Sequence, residues 1–491
     1  MLAMNPSLEY IAALFGIMML GAVPVPCFPP LRTKELDRFH AIAVDSSPDG
    51  IVIDAMYSHQ IDALRELLRP FDLDPDVTYA EDVTADAPDV DAAPAAPGDL
   101  ALIQYTSGST GSPKGVCLTH DNLVSNCQAL GRSMGTDPQR VGLSWLPPYH
   151  DMGLMGTIVL SMYHGWPLVL MSPMHFVQEP RRWLKAITDY RVSITVGPNF
   201  SLDLCADAVR DAGFEELDLS TVKELYCGAE PISVETLARF EQSCVSSGFD
   251  ARSLIPCYGM AEATLFVAGK RAGSRYRTAE VAGRPVVSCG EIDRDHTVRI
   301  VDPASRQLVP NGAIGEIWVS GRSVAAGYYN RDRLSREVFG GRLSGDERSY
   351  LRTGDLGFVQ AGELYVTGRI KDLIIFSGRN IYPQDVETAV LRADPALRSA
   401  VAFAAAGERL VVLAETTKGA SAQSYPAMVD SIRSSVTSEF GVGPDVHICG
   451  ARSIPTTTSG KVRRQEARRM LLEDELRVVY SDSMAIQDCT A

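Results

Sequence analysis

The sequence predicts an α/β protein with a large N-terminal domain of layered α/β subdomains and a small β-region, followed by a small α+β C-terminal domain. Apolar runs such as ALIQY (101–105) and SITVG (193–197) alternate with helix-like runs such as PRRWLKAITDY (180–190), which is typical of strands joined by crossover helices. After Gly312 the pattern changes to short strands with glycine turns. A chain of 491 residues is also too long for one compact core.

The elements after Gly312 follow in order. The short strands are IGEIWVSG (314–321), GELYVTGR (362–369) and DLIIFSGR (372–379). The second unit has a strand RLVVLAE (409–415), a helix MVDSIRSSVTSEFG (428–441) that stops at glycine, and a basic helix from Lys461 to about Leu472. Before them, Glu81 to Leu100 is rich in Asp, Ala and Pro, which predicts an exposed acidic loop with order returning at Ala101.

Charge and composition exclude several classes of partner. A net charge of -15 disfavours binding to nucleic acid or to anionic lipid. The uncharged stretch from Tyr10 to Phe28 is interrupted by Gly and Pro and has no preceding basic residues, so we expect a core helix followed by a short strand instead of a stable membrane span or secretory signal. The 10 cysteines form no CxxC pair, which indicates reduced, inert thiols and a cytoplasmic location.

A glycine- and hydroxyl-rich segment follows the predicted strand ALIQY. It reads TSGSTGSPKG from Thr106 to Gly115, and its small residues allow backbone N–H groups and hydroxyls to surround a phosphate. Lys114 adds a positive charge. The spacing is not that of a Walker A loop; the alternative is a flexible Ser/Gly linker.

Four further motifs carry a family resemblance. They are LPPYHDMGLMG (146–156), CGAEPI (227–232), CYGMAEATL (257–265) and RNIYPQDVE (379–387). With TSGSTGSPKG, they resemble the acyl-adenylate-forming (AMP-binding) superfamily, and within it the fatty acyl-AMP ligase or fatty acyl-acyl carrier protein ligase branch.

The resemblance implies roles for individual residues. Catalytic roles fall on Lys461, Lys114 and His150, and Glu262 is implied as the magnesium ligand. Tyr149, His150 and Asp151 match the acyl pocket, and Lys371 matches the hinge. The implied ATP- and AMP-binding residues are Thr106, Ser107, Gly108, Ser109, Thr110, Gly111, Gly228, Ala229, Glu230, Tyr258, Gly259, Asp355 and Arg369.

The resemblance also implies a reaction and a domain plan. ATP and Mg²⁺ would activate a fatty or related carboxylic acid as acyl-AMP, and an acyl carrier protein or a polyketide or nonribosomal peptide synthase would receive the acyl group. A coenzyme A ligase and an inactive binding or scaffold homologue remain alternatives. The expected parts are a large domain (1–368), a hinge (369–371), a small mobile domain (372–480) and a tail (481–491).

Two departures from the family pattern bear on these expectations. The segment NPSLEYIAALFGIMMLGAVPVP (5–26) matches a part that family members reach only after further elements; either the start is misplaced or part of the large domain is lost. Only Ala268 to Val286 fills the place of an insertion that disfavours coenzyme A in acyl-AMP ligases. Ala261 before the glutamate agrees with the acyl-AMP ligase branch.

Overall fold

A computed structural model describes most of the chain. The described residues are 1–30, 33–82, 91–106, 113–135, 137, 139–212, 216–281, 283–376, 379–405, 409–417, 419–456 and 462–482. They form two compact units. The first unit takes the described residues within 1–106, 113–353 and 357–366, and the second takes those within 354–356 and 367–482.

Strands and helices alternate through the first unit. Its strands are β1 (Leu2–Ala3), β2 (Gly50–Ile53), β3 (Asp76–Tyr79), β4 (Leu100–Thr106), β5 (Lys114–Thr119), β6 (Gly142–Ser144), β7 (Leu168–Leu170), β8 (Ile194–Pro198), β9 (Glu224–Gly228), β10 (Leu254–Gly259), β11 (Phe266–Gly269), β12 (Thr278–Val281), β13 (Arg284–Ile292), β14 (His296–Val301), β15 (Gly315–Gly321), β16 (Gly327–Tyr328), β17 (Gly341–Leu343), β18 (Asp346–Gln360) and β19 (Glu363–Arg369). Its helices are α1 (Leu8–Met19), α2 (Thr33–Ser46), α3 (Ile61–Leu68), α4 (His120–Ser133), α5 (Asp151–Gly153), α6 (Leu160–His164), α7 (Pro173–Gln178), α8 (Arg181–Asp189), α9 (Asn199–Ala212), α10 (Val234–Cys244) and α11 (Asp332–Phe339). A π-helical turn, Leu154–Val159, joins α5 to α6.

Three sheets organise these strands. The largest has the path β14-β15-β18-β19-β13-β11-β10-β9-β8-β6-β7, with β12 beside β13 and β17 beside β18. From β10 to β7 its strands are parallel, as the crossover pattern predicts. The smaller sheets have the orders β1-β2-β3 and β16-β5-β4. The mixed α/β fold predicted from the sequence is therefore confirmed.

The second unit has its own sheet and core. Its strands are β20 (Ile374–Phe376), β21 (Arg379–Ile381), β22 (Leu397–Ala405), β23 (Arg409–Thr416), β24 (Asp445–Cys449) and β25 (Val478–Ser481), and its helices are α12 (Pro383–Ala393), α13 (Tyr425–Phe440) and α14 (Arg464–Leu472). The sheet order is β22-β23-β24-β25, and β20 pairs with β21 as a hairpin. Helix α13 ends at Gly441, whose φ of 71° only glycine adopts at little cost.

Some boundaries differ from those the sequence predicts. Helix α14 begins at Arg464, because Val462 forms a bridge with Thr456 instead of joining the helix. After α1, Pro26 forms only an isolated bridge with Leu2, where we expected a short strand. Of the predicted acidic loop, residues 81–82 belong to a 3₁₀ turn, Ala80–Asp82, and 91–99 are irregular; β4 starts one residue before Ala101.

The uncharged N-terminal stretch begins with a helix that packs into the core, as the sequence predicts. Helix α1 buries Tyr10 and Leu14 in the main core, and the Tyr10 hydroxyl donates a hydrogen bond to the Pro148 carbonyl oxygen at 2.9 Å. None of the helices in the described part of the chain combines the length and the apolar character that crossing a bilayer requires.

Candidate active site

The predicted phosphate-binding segment begins and ends on a strand pair. Thr106 at the end of β4 lies opposite Lys114 at the start of β5. At Gly115, an added Cβ would come within 2.7 Å of Ile103 and 2.9 Å of Tyr105, so the strands pack tightly below the loop. Ser107 to Gly111, which the sequence places in the loop, lie outside the described residues.

Strand β16 connects the loop lysine to the predicted metal ligand. Tyr328 on β16 lies opposite Val116 of β5, and the Lys114 Nζ lies 5.4 Å from the centre of its ring, within the range of a cation–π contact. The Tyr328 hydroxyl donates a hydrogen bond to Glu262 Oε1 at 2.8 Å. Lys114 and Glu262 are therefore two sides of one cluster, although they are far apart in the sequence.

The predicted adenine-binding residues lie where parallel strands end. Gly228 ends β9 and Gly259 ends the neighbouring β10, and ligands of such sheets bind at the carboxyl ends of the strands. Both glycines are sterically required: an added Cβ would lie 2.9 Å from Cys257 Sγ at Gly228 and 1.7 Å from the Leu265 carbonyl oxygen at Gly259. Tyr258 between these contacts is buried.

The next two residues of the CGAEPI motif form a turn. Ala229 has a φ of 71°, in the left-handed region that costs a non-glycine residue energy. The Glu230 carboxylate accepts a hydrogen bond from the Phe200 N–H at 2.8 Å, and this contact ties the turn to the start of α9. Glu230, which the sequence predicts to contact the nucleotide, thus also makes a hydrogen bond within the protein.

The YHD segment follows β6 and so lies at the same edge of the sheet. His150 Nδ1 lies 2.8 Å from Asp151 Oδ1, and the Tyr149 carbonyl oxygen accepts a hydrogen bond from Gln104 Nε2 at 2.8 Å. Gln104 thereby connects this segment to β4, the strand before the phosphate loop. Met152, Leu154 and Met155, for which the sequence left a fatty tunnel and plain core as alternatives, are buried in the main hydrophobic cluster.

The remaining described candidates belong to the second unit, which includes 354–356 of β18 and the last residues of β19 although most of both strands lies in the first unit. Asp355 on β18 is 4% exposed, and its Oδ1 lies 2.8 Å from Arg369 Nε at the end of β19. Lys371 is exposed in a 3₁₀ turn, Ile370–Asp372. Lys461 lies outside the described residues.

The described cysteines provide no nucleophile for this site. Burial raises the pKa of Cys289 to about 12 and the pKa of Cys117 to about 11, and burial also raises the pKa of Cys257 beside Tyr258. A thiol with such a pKa is almost fully protonated at neutral pH. The expectation of inert cysteines therefore agrees with the environments of these thiols.

Two contacts in this site were not predicted from the sequence: Tyr328 to Glu262, and Gln104 to the Tyr149 carbonyl oxygen. Tyr328 stands in GYYN (327–330), where nothing local distinguishes it from Tyr329. Their partners become visible only when β16, β5 and β4 are assembled into a sheet.

Fold and site together define an adenylate-forming enzyme: a strand pair flanks the predicted phosphate-binding segment, Tyr328 links its lysine to a carboxylate, and glycines end the neighbouring parallel strands. The model of the AMP-binding enzyme family matches residues 1–329. A medium-chain-fatty-acid–[acyl-carrier-protein] ligase, JamA of Moorena producens, is 37% identical over 96% of this chain and 85% of its own length. The chain thus belongs to the AMP-binding enzyme family, in its fatty acyl-AMP ligase branch.

Solved structures support this membership. A fatty acyl-adenylate ligase from Legionella pneumophila, in complex with acyl adenylate and pyrophosphate, matches with a TM-score of 0.72 and 33% identity over 98% of this chain and 88% of that one. A structure from a study of fatty acyl-adenylate ligases from E. coli and L. pneumophila matches with a TM-score of 0.86 and 31% identity, covering 95% and 87% of the two chains.

Proposed function

We propose that this protein activates a fatty or related carboxylic acid with ATP and transfers the acyl group to the phosphopantetheine thiol of an acyl carrier protein. In the first step a carboxylate oxygen attacks the α-phosphorus of ATP, and the bond to the β-phosphate breaks to release pyrophosphate. In the second step the thiol loses its proton and its sulfur attacks the acyl carbonyl carbon. A thioester forms, and the bond from the acyl carbon to the phosphate oxygen breaks to release AMP.

The observation that carries this proposal is the cluster of Lys114, Tyr328 and Glu262 at the base of the phosphate loop. Bringing a carboxylate to a polyphosphate opposes two anions, so the chemistry needs positive charge and fixed geometry more than a protein nucleophile. Lys114 supplies a fixed cation next to the loop, and the described thiols are protonated. A site of this kind is suited to adenylation.

Glu262 is also a suitable magnesium ligand. Mg²⁺ bound with nucleotides usually takes one or two carboxylates and completes its shell with phosphates and water. Glu262 is partly exposed and is linked to the loop lysine through Tyr328, so its carboxylate fits that mode. When bound there, the metal would neutralise phosphate charge.

The other site residues receive roles in the same proposal. The loop residues Thr106, Ser107, Gly108, Ser109, Thr110 and Gly111 surround the phosphates, and Lys461 stabilises the charge that develops during attack. The acyl pocket includes Tyr149, His150 and Asp151. The adenosine contacts are Gly228, Ala229, Glu230, Tyr258, Gly259, Asp355 and Arg369. Lys371 serves as the hinge between the domains 1–368 and 372–480, and a reaction of this kind suits the cytoplasm.

The carrier protein is proposed as acceptor because of the relative from Moorena producens, whose name specifies that acceptor. The carrier would be free-standing or part of a polyketide or nonribosomal peptide synthase. Coenzyme A is the competing acceptor, since the segment 268–286 is short. In the structure this segment contains β12 and the first residues of β13, which pair antiparallel.

The test is pyrophosphate exchange with straight-chain fatty acids of increasing length, followed by addition of a holo carrier protein or coenzyme A. We expect exchange that depends on the acid, and acyl transfer to the carrier with little coenzyme A thioester. Efficient thioester formation with coenzyme A would replace the proposed acceptor. Lack of exchange with every acid would favour the inactive scaffold.

A further inference from the structure

Three contacts join the segment 323–328 to the turn that carries Glu262. The Tyr328 hydroxyl donates to Glu262 Oε1 at 2.8 Å. The Ala325 N–H donates to the Glu262 carbonyl oxygen at 2.9 Å, and the Thr264 hydroxyl donates to the Ser323 carbonyl oxygen at 2.6 Å. The glutamate is therefore held through its side chain and its own carbonyl oxygen, and its turn is held through the Thr264 side chain two residues later.

The turn at Thr264 has an unfavourable backbone conformation. Thr264 has φ 68° and ψ -55°, and the Leu265 N–H donates to the Ala263 carbonyl oxygen at 2.8 Å. These values define a classic γ-turn, which is rare and strained, and a β-branched residue tolerates it poorly. Such strain persists only where the surroundings enforce it, and it concentrates at functional sites.

The surroundings of Thr264 do enforce the turn. The residue is fully buried, and its partner Ser323 is fixed in turn, since the Ser323 hydroxyl lies 2.6 Å from the buried His296 Nε2. On the other side of the turn, the Met260 N–H donates to the Leu265 carbonyl oxygen at 2.8 Å. The γ-turn thus closes the short connection between β10 and β11 in which Glu262 lies.

Tyr328 links the same carboxylate to the phosphate loop. It is 7% exposed, and β16 holds it against β5. Its ring contacts Lys114 while its hydroxyl contacts Glu262. One side chain therefore contacts both the carboxylate and the loop lysine.

We propose that Tyr328 and Thr264 are positioning residues that hold the Glu262 carboxylate in the orientation in which it receives the Mg²⁺ of Mg-ATP. A carboxylate has two oxygens with about four lone-pair sites, so one hydrogen bond from Tyr328 orients the group and leaves it able to bind a metal. Loss of such outer contacts commonly lowers metal affinity or activity about 10–100-fold. This inference rests on the proposed function, because Mg-ATP is the ligand.

The test compares Tyr328→Phe with Tyr329→Phe. The first removes the hydroxyl and keeps the ring beside Lys114, and the second removes the hydroxyl of the neighbouring tyrosine, whose backbone N–H contacts Gly115. We expect Tyr328→Phe to raise the Mg²⁺ concentration for half-maximal pyrophosphate exchange about 10–100-fold. Tyr329→Phe should behave as the wild type.

Equilibrium ATP binding provides a readout independent of turnover. In EDTA, Tyr328→Phe and the wild type should bind ATP equally; with Mg²⁺ added, the gain in affinity and in Tm should be smaller in the variant. Thr264→Val should shift the Mg²⁺ dependence in the same direction, and Thr264→Ser, which keeps the hydroxyl, should restore it.

Two outcomes separate this inference from the proposed function. If the wild type exchanges pyrophosphate and Tyr328→Phe has the wild-type Mg²⁺ dependence in both assays, the positioning role is wrong and the function stands. If the wild type shows no exchange with any acid, the function itself is wrong. Should Thr264→Val fail to fold, the two tyrosine variants decide the question.

Discussion

Asp355 and Arg369, two residues that the sequence assigns separately to the nucleotide, form an ion pair with each other. Arg369 Nε lies 2.8 Å from Asp355 Oδ1; the Asp355 side chain is 6% exposed and that of Arg369 50%. The arginine fixes one oxygen of a nearly buried carboxylate. In the proposed site, a carboxylate oriented in this way would accept hydrogen bonds from ribose hydroxyls.

Asp355→Asn should therefore weaken ATP binding. The amide loses the negative charge and half of the acceptor capacity, and hydrogen bonds to charged groups contribute about 1.5–3 kcal/mol, so we expect the Kd for ATP to rise about 10–100-fold. Calorimetric titration measures it. Asp346→Asn is the control, because Asp346 lies on the same strand and pairs with the exposed Arg348; equal Kd values for all three proteins would refute the role.

Arg464 at the start of α14 joins this helix to Glu387 on α12 and to Asp372 in the 3₁₀ turn. Its Nη2 lies 2.7 and 2.9 Å from the two oxygens of Glu387, and its Nη1 lies 3.2 Å from Asp372 Oδ2. The Arg464 and Glu387 side chains are 16% and 15% exposed. Arg464→Met should destabilise the protein by about 3 kcal/mol, the low end for breaking a buried pair, and lower Tm by about 6–12 °C.

The effect of Arg464→Met should depend on pH. Burial raises the pKa of Glu387, and Arg464 opposes that rise, so in the variant the carboxyl binds its proton more tightly than in the unfolded chain. Stability then falls as the pH rises above the unfolded pKa. We expect a smaller loss of Tm at pH 5.5 than at pH 8, and Glu387→Gln should partly rescue Arg464→Met.

Arg469→Met is the matched control for that experiment. Arg469 lies on the same helix, α14, and its side chain is 42% exposed in ion pairs with surface glutamates. Such pairs contribute about 0–1 kcal/mol, so the control should melt near the wild type at both pH values. A loss of Tm in Arg464→Met that does not vary with pH would contradict the role assigned to Glu387.

The sequence predicted local elements well and distant pairings poorly. IGEIWVSG, GELYVTGR and RLVVLAE carry their strand signal in consecutive residues, and each forms a strand close to its predicted bounds. The bond from Tyr328 to Glu262 spans 66 residues, and that from Arg464 to Glu387 spans 77. No periodicity encodes such contacts, since they depend on how strands and helices assemble; helix α14 likewise begins at Arg464, where these contacts form.

Chemical modification tests the expectation that the cysteines are inert. Burial raises the pKa of Cys27, Cys127, Cys244 and Cys449 to about 12, so roughly one thiol in 10,000 is ionised at pH 8. We expect iodoacetamide at pH 8 to leave pyrophosphate exchange intact and the described cysteines unlabelled, with full labelling in denaturant. Mass mapping identifies the labelled sites, and rapid loss of activity with labelling of Cys257 or Cys289 would show that a thiol matters.

Lys461 carries the most specific mechanistic prediction. If its ammonium group stabilises charge during attack on the α-phosphorus, Lys461→Ala removes an interaction of the transition state, and loss of one such group commonly lowers kcat about 100–1,000-fold. The second step, attack of a thiol on acyl-AMP, does not need that group. Pyrophosphate exchange should therefore nearly disappear in Lys461→Ala, while acyl transfer from added acyl-AMP to a holo carrier protein continues.

The matched control for Lys461 is the exposed Arg463. Arg463→Ala removes a positive charge two residues away and keeps the backbone hydrogen bond from the Arg463 N–H to the Pro455 carbonyl oxygen at 2.9 Å. It should retain exchange near the wild-type rate, because a general loss of positive charge is not the proposed cause. Equal losses in both variants would mean that the segment acts through its overall charge, and exchange at the wild-type rate in Lys461→Ala would remove the lysine from the mechanism.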